Sequence, residues 1–351
     1  MKSLLRPKKH FTPVKGWMND PNGLVFYKGK YHLFYQYNPY SCVWDHMHWG
    51  HAISDDLVNW EHLPIALAPD ENGDIFSGSC VVDNENVSGF GTSDNPALIA
   101  FYTSHHPDTN REEQCVAFSL DGVNFTKYDK NPIIAGFCNT PARDPFVFEN
   151  KVIGGYSMCF TIETSVLFYH SNNLIDWKKT GEFLLPKWAF LGMIECPCIF
   201  EDKCKYVLMM SMDIPESEFG KFPSGVAPHN RLMQYLVGEF DGYTFNVTQN
   251  DKGPLLVDEG PDFYAGTIFN NVDDTILMAW IGNSDTCLSI PTEEEGFKGA
   301  LTYPQKLSLV ETDDGYRLHH EFYPYRENGS DTFINEYISS DGLTSITKCG
   351  Q

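Results

Sequence analysis

Basic residues are scarce in this sequence: 25 Lys and Arg stand against 47 Asp and Glu in 351 residues, a formal charge of −22. A partner held through its phosphates needs basic side chains in number, so this balance excludes DNA and RNA and points to a neutral or cationic partner. Long apolar runs are missing as well. Stretches such as 276–281 are far shorter than the roughly 20 residues of a membrane span. The basic N-terminal stretch is followed by no apolar segment of signal-peptide length. No membrane association is expected, and a cytoplasmic location is. Cysteine is thinly spread, ten in the whole chain, which suits mostly buried free thiols in a reducing compartment better than a disulfide framework. The four N-x-[ST] sequons, at Asn86, Asn124, Asn246 and Asn328, would matter only on a secreted chain. Also missing are a Gly-rich phosphate loop and a complete set of metal ligands. Asp45, His46, His48 and His51 have ligand chemistry, but His46 and His48 read as neighbours on one strand face. Cys196 and Cys198, followed by Cys204, lack a second pair. No metal and no cofactor are expected.

What is abundant is apolar and aromatic surface, 42% and 14% of residues, enough for a well-cored globular protein. Helical periodicity is nowhere sustained, whereas period-2 alternation is frequent, as in the hairpin pattern 24–37. A repeat emerges. Ser54-Asp-Asp-Leu-Val-Asn-Trp60, Ser119-Leu-Asp-Gly-Val-Asn-Phe125 and Ser171-Asn-Asn-Leu-Ile-Asp-Trp177 share a turn-forming pair and an aromatic at a fixed offset. Phe240-Asp-Gly-Tyr-Thr-Phe245 is a fourth copy, and Asp313-Asp-Gly-Tyr316 a degenerate fifth. Taking Asp56, Asp121, Asn173, Asp241 and Asp314 as equivalent, the spacings are 65, 52, 68 and 73 residues. Five units of small antiparallel sheet predict a five-bladed β-propeller, in which radial repetition leaves only short protected edges around a channel. The segment 213–230, with three Pro and two Gly, reads as a long loop between blades, where specificity often resides.

A second series stands just before apolar strand-like runs: Asp20-Pro-Asn-Gly23, Phe76-Ser-Gly-Ser79, Arg143-Asp-Pro145, Glu195-Cys-Pro197 and Asp262-Phe-Tyr-Ala265. If each opens the innermost strand of its unit, acids distant in sequence converge at one mouth of the channel. The alternative, that an acid merely caps a turn in its own unit, stays open for any one of them. Cys196 reads as packing that positions Glu195.

These motifs, with Trp17-Met-Asn-Asp-Pro-Asn-Gly23, Phe34-Tyr-Gln-Tyr-Asn-Pro39 and Trp49-Gly-His-Ala-Ile-Ser-Asp-Asp-Leu57, resemble glycoside hydrolase family 32, which holds invertases, levanases and inulinases. They run in the family's order from about residue 10 to residue 307. The resemblance implies an all-β, five-bladed propeller that hydrolyses β-fructofuranosides with retention. By position, Asp20 is similar to the family's nucleophile, Glu195 to its general acid/base, and Asp144 to the acid that holds fructosyl hydroxyls and stabilises the transition state. Asn19, Gln36, Ser77 and Arg143 match positions that hydrogen-bond fructose. Trp44, Phe76 and Trp280 match those that wall the pocket, packing between blades being the alternative for each. Tyr264 either orients Glu195 or lines the channel.

Retaining glycosidases need two carboxyl groups about 5 Å apart, one ionised and one protonated at the same pH. Asp144 is expected to be biased toward ionisation if Arg143 meets it. The expected substrate is sucrose or another β-fructofuranoside. A fructosyltransferase, a levanase or inulinase, and a non-catalytic sugar-binding propeller are the alternatives, and a homo-oligomer is left open. Residues 1–318 are expected to form the propeller and 319–351 a C-terminal extension, with the family's C-terminal β-sandwich absent or rudimentary.

Overall fold

The computed structural model describes residues 5–249, 253–282, 287 and 289–323, and beyond them only the backbone of four strands. Five antiparallel sheets follow one another along the chain. The first contains β1 (Gly16–Tyr27), β2 (Lys30–Asn38), β3 (His48–Ser54) and β4 (Trp60–Leu67); the second β5 (Asp74–Asp83), β6 (Ala97–His106), β7 (Arg111–Ser119), β8 (Thr126–Lys127) and β9 (Ile134–Cys138). The third has β10 (Ala142–Glu149), β11 (Tyr156–Ile162), β12 (Ser165–Ser171) and β13 (Lys178–Leu184). The fourth has β14 (Met193–Asp202), β15 (Lys205–Asp213), β16 (Arg231–Phe240), β17 (Phe245–Val247) and β18 (Leu255–Leu256). The fifth is β19 (Tyr264–Ile268), β20 (Ile276–Trp280), β22 (Gln305–Thr312) and β23 (Gly315–Phe322), while β21 (Phe297–Lys298) leaves it to pair in parallel with β1. The first strand of each sheet packs against the first strand of the next, and β19 returns to β1, so the ring closes into a five-bladed propeller. The expected boundary at residue 318 falls inside β23, which continues to Phe322 because its pairing with β22 runs to Gln305. Two short antiparallel strand pairs follow, Arg326–Glu327 with Ser330–Asp331 and Phe333–Ile338 with Thr344–Cys349. The sequon at Asn328 lies outside the described residues. His46 precedes β3 in a left-handed turn and does not share a strand with His48.

The repeated turn has a local physical cause. In its first copy the Ser54 hydroxyl accepts from the amide of Leu57, and Asp56 Oδ1 accepts from the amides of Val58 and Asn59. Ser119 with Asp121 repeats the pattern; in the third copy the Ser171 hydroxyl accepts from the amide of Asn173, whose Oδ1 accepts from the amides of Ile175 and Asp176, and Asp241 repeats the second half. Each turn needs one left-handed residue, filled by Leu57, Gly122, Leu174 and Gly242. Leucine is strained there, but both leucine side chains are fully buried, which offsets the cost. Every copy joins the third strand of a sheet to the fourth, which is why the spacing tracks the blades.

The apolar core lies between neighbouring sheets, not on the axis. Phe34, Trp49 and Cys80 are among the side chains that fill the space between the first two blades, while Phe160, Val147 and Phe101 do so between the second and third. Asn270, from the fifth blade, donates its side-chain amide to Cys80 O at 2.8 Å and Val147 O at 3.1 Å in the second and third blades. Its backbone amide donates to Leu24 O in the first. One residue therefore ties four blades across the axis. Asn270→Ala is expected to lower the unfolding free energy by about 1–3 kcal/mol through two orphaned carbonyls. Denaturant titration measures this, and an unchanged midpoint would refute the tie.

Candidate active site

Each innermost strand carries one extra residue at the same level. The partner register slips between Met18 and Pro21, Ile75 and Gly78, Arg143 and Phe146, Glu195 and Cys198, and Tyr264 and Thr267. Such bulges bend a strand and re-aim its side chains. Aligned on the bulges, Asp20 corresponds to Ser77, Asp144 to Phe76 and Cys196, and Glu195 to Arg143 and Tyr264. The three acids therefore sit at three successive levels of equivalent strands, not at one repeated position. Asp144, Cys196 and Ala265 have left-handed φ angles of 67°, 47° and 53°. Their amides, pulled out of the ladder, find side-chain acceptors: Thr103 Oγ1 at 3.0 Å, Asp144 Oδ2 at 2.8 Å and Ser211 Oγ at 2.8 Å. Pro145 and Pro197, next in line, have no amide to satisfy. Gly78 leaves no room for a side chain, since a Cβ there would lie 1.9 Å from Phe101 O.

The bulges open onto a pocket of about 500 Å³ at the channel mouth. All eleven residues singled out in the sequence line it: Asp20, Asp144 and Glu195; Asn19, Gln36, Ser77 and Arg143; Trp44, Phe76, Tyr264 and Trp280. Asp20 is held from both sides, its Oδ1 accepting from Asn19 Nδ2 at 2.9 Å and its Oδ2 from Ser77 Oγ at 2.6 Å. Trp17 fixes Asn19 in turn, through an indole bond to its Oδ1 at 2.9 Å. Glu195 Oε2 accepts from the Tyr264 hydroxyl at 2.5 Å, and its Oε1 lies 3.8 Å from Arg143 Nε. Gln36 is buried and donates to Ile75 O at 3.0 Å. Phe76 packs edge-on to Trp44, which is half exposed at the rim. Trp280 packs edge-on to Trp17 and belongs to the core between the fifth and first blades while also facing the pocket. Its indole nitrogen has no hydrogen-bond partner among the described residues.

Cys196 does something other than pack behind Glu195. Its thiol lies 3.6 Å from Asp20 Oδ2 and 3.5 Å from Asp144 Oδ2, and its amide holds Asp144, so it binds the other two acids together. Trp17, Val43 and Arg231 also line the pocket and were missed. Trp17 stands inside the Asp20 motif and could have been read from it. The long loop expected between blades instead joins β15 to β16 inside the fourth blade, because Asp213 and Arg231 at its two ends are ladder partners. Arg231 follows it directly, pairs with Asp213 at 3.6 Å and covers the Tyr264 ring, contacts that no local pattern announces.

Burial dominates the electrostatics. It raises the Asp20 carboxyl above its ordinary value, while bonds from Ser77 and Asn19 oppose the rise and the Glu195 charge adds to it. Asp144 is pushed up to about 7, first by burial; Arg143 and the Cys196 amide pull it down, and Glu195 and Asp20 push it further up. The expected bias from Arg143 is present but loses to desolvation. The Cys196 thiol and the Tyr264 hydroxyl are both driven well above their usual range by burial and the surrounding acids. Both remain protonated and act as donors to carboxylates.

A five-bladed propeller whose axial pocket gathers three carboxyl groups, a guanidinium and aromatic walls has the architecture of a sugar-cleaving propeller. Residues 10–321 match the family described as Glycosyl hydrolases family 32 N-terminal domain. The chain belongs to glycosyl hydrolase family 32. It is 39% identical over 325 residues to a levanase of Bacillus subtilis, covering 89% of this chain and 46% of that one. It is 38% identical over 302 residues to an invertase of Schwanniomyces occidentalis, covering 82% of this chain and 54% of the other. The chain thus spans about half the length of these relatives. The solved fructofuranosidase of Schwanniomyces occidentalis complexed with fructose superposes with a TM-score of 0.80 at 32% identity, over 94% of this chain and 64% of the other.

The raised Asp144 carboxyl makes a stability prediction. The folded protein holds its proton to about pH 7 and the unfolded chain only to about 3.8. The stability this group contributes is therefore full below about pH 4, falls as pH rises to 7 and is flat above. Asp144→Asn keeps an acceptor for the Cys196 amide and removes the charge. The variant should be more stable than the parent at pH 8, by on the order of 2–4 kcal/mol, with the difference vanishing near pH 4. Unfolding titrations at the two pH values measure it.

Proposed function

We propose that the chain is a retaining β-fructofuranosidase that releases terminal fructose from neutral β-fructofuranosides, with sucrose the smallest substrate. The convergence of Asp20, Asp144 and Glu195 on one pocket carries this reading. Asp20, pinned by Asn19 and Ser77, attacks the anomeric carbon and forms a fructosyl ester as the glycosidic C–O bond breaks. Glu195 gives its proton to the leaving oxygen. The Tyr264 hydroxyl and the Arg143 guanidinium hold the Glu195 carboxyl in place for that transfer. In the second half Glu195 takes a proton from water, whose oxygen attacks the same carbon and frees Asp20. Asp144, beside Arg143, faces the fructosyl ring; its ionised form, whose share grows as pH rises toward 7, stabilises the positive charge that develops. The aromatic walls match the apolar faces of a sugar, and the pairing of neutral substrate with an acidic chain avoids repulsion. The names of the levanase and invertase relatives, and the fructose in the solved relative, support the substrate class.

A second substrate preference has its own observation. An open groove lined by Glu163, Thr164, Met193 and Asp213 adjoins the pocket. Met193 lies 3.8 Å from Arg143, and Asp213 pairs with the pocket residue Arg231. A groove beyond the leaving-group side favours longer fructans as additional substrates.

Replacing Asp20 by Asn is expected to lower kcat by on the order of 10⁴-fold or more with the fold retained. Circular dichroism and fructose release from sucrose, levan and inulin measure both; full activity in the variant would refute the assignment. The parent kcat/KM should follow a bell-shaped curve with a mildly acidic optimum, since Asp20 must be ionised while Glu195 is protonated. Activity that keeps rising into alkaline pH would contradict it.

A further inference from the structure

Behind the pocket wall, outside its lining, stands a carboxylate that the reaction scheme leaves unused. Glu112 is on β7 in the second blade, with 4% of its side chain exposed. A buried carboxylate persists only when its oxygens are well paired, and here the pairing faces the active site. Its Oε1 accepts from Arg143 Nη1 at 2.8 Å and meets His105 Nδ1 at 3.2 Å; its Oε2 accepts from the amide of Ala142 at 2.7 Å. Ala142 and Arg143 are the two residues before Asp144 in the bulged strand of the third blade. His105 in turn stacks on Phe76, ring centroids 4.4 Å apart and 5° from parallel. One side chain thus reaches a pocket cation, the entry to a bulge and, through an imidazole, an aromatic wall.

Arg143 is consequently held between acids. Nη1 points back to Glu112, while Nε faces Glu195 Oε1 at 3.8 Å. An arginine side chain loses much rotamer freedom when it is held, and a partner that fixes it before substrate arrives removes that cost from the bound state. Glu112 also balances charge. Around the guanidinium stand Glu112 from β7, Asp144 from β10 and Glu195 from β14; farther round are Asp20 from β1 and the Tyr264 hydroxyl from β19. His105 from β6 meets Glu112 on its other side, and Asp74 from β5 acts on His105 in turn. Without the Glu112 charge, the Arg143 cation acts uncompensated on Glu195 and Asp144 and favours their ionised forms.

We propose that Glu112 is a positioning residue for the reaction: it clamps the Arg143 guanidinium against Glu195 from behind the pocket and, through His105, seats the Phe76 wall. The proposal rests on the reading of Glu195 as the acid that protonates the leaving group.

The test compares the parent with Glu112→Gln and Glu112→Asp. It measures kcat and KM for sucrose from pH 4 to 9, together with thermal melting. In Glu112→Gln, kcat/KM should fall on the order of 10–100-fold. The alkaline limb of its profile should move down by about 0.5–1 pH unit, because the acid loses its proton more easily beside an uncompensated Arg143. Glu112→Asp keeps the charge on a shorter stem. It should restore the limb to the parent position while kcat/KM recovers only in part. Unchanged kcat/KM and unchanged limbs in Glu112→Gln overturn the proposal. So does a loss of activity that follows melting temperature with the limbs unmoved, which is the signature of a purely structural role. A parent that cleaves no fructoside overturns the function reading and this proposal together, whereas an active parent with an indifferent Glu112→Gln overturns this proposal alone.

Discussion

The constraint on which the site depends is the extra residue that every innermost strand carries at the level of the pocket. A regular strand alternates its side chains strictly, so a propeller of regular blades would offer the channel one repeated level of residues. The bulge breaks that alternation at one height in all five blades. It lets Asp20, Asp144 and Glu195 come from three different levels and still reach one pocket. The cost is a set of amides displaced from the ladder and three non-glycine residues in left-handed conformations. Thr103, Ser211 and Asp144 itself take those amides. In the third and fourth blades proline follows, where an amide would have gone unsatisfied. Structural repair and the placement of the three acids are here the same contacts.

Electrostatics at the pocket follow from this geometry. Three carboxyl groups in one desolvated space repel one another, and burial lifts both Asp20 and Asp144. The protein answers with neutral donors more than with cations: Ser77 and Asn19 on Asp20, the Cys196 amide and thiol on Asp144, the Tyr264 hydroxyl on Glu195. Among the residues lining the pocket only Arg143 and Arg231 are cations, and Arg143 is itself held by a buried acid from another blade. Among the described residues most acids lie in turns and at the surface, and the proposed chemistry depends on the few that are kept from water.

Much of this was legible in the sequence because it is local. The Ser54–Asn59 turn and its copies use hydrogen bonds that span five residues or fewer, so their pattern survives as a string and counts the blades. The motifs around Asp20, Asp144 and Glu195 are likewise contiguous, and the aromatic and polar residues matched by resemblance all line the pocket. What was not legible is set by contacts between blades. Nothing in Glu195-Cys-Pro197 says that the Cys196 thiol faces Asp20, 176 residues away. Arg231 and Glu112 gain their places from contacts with other blades, Arg231 over Tyr264 and Glu112 with Arg143, and Val43 from a loop with no motif. The bias expected from Arg143 on Asp144 is present, but burial, which a string of residues does not display, outweighs a single neighbouring charge.

The central claim is that the bulges present Asp20, and not Asp144, to the anomeric carbon. The most direct test stops Glu195→Gln enzyme with acid while it turns over a β-fructosyl substrate with an activated leaving group, and locates any adduct by peptide mass spectrometry. Without its acid/base the enzyme should accumulate the ester, because water attack loses its general base while the activated leaving group departs unaided. The account predicts one fructosyl unit on the peptide carrying Asp20. A fructosyl unit on Asp144, or steady leaving-group release with no covalent adduct, would contradict it.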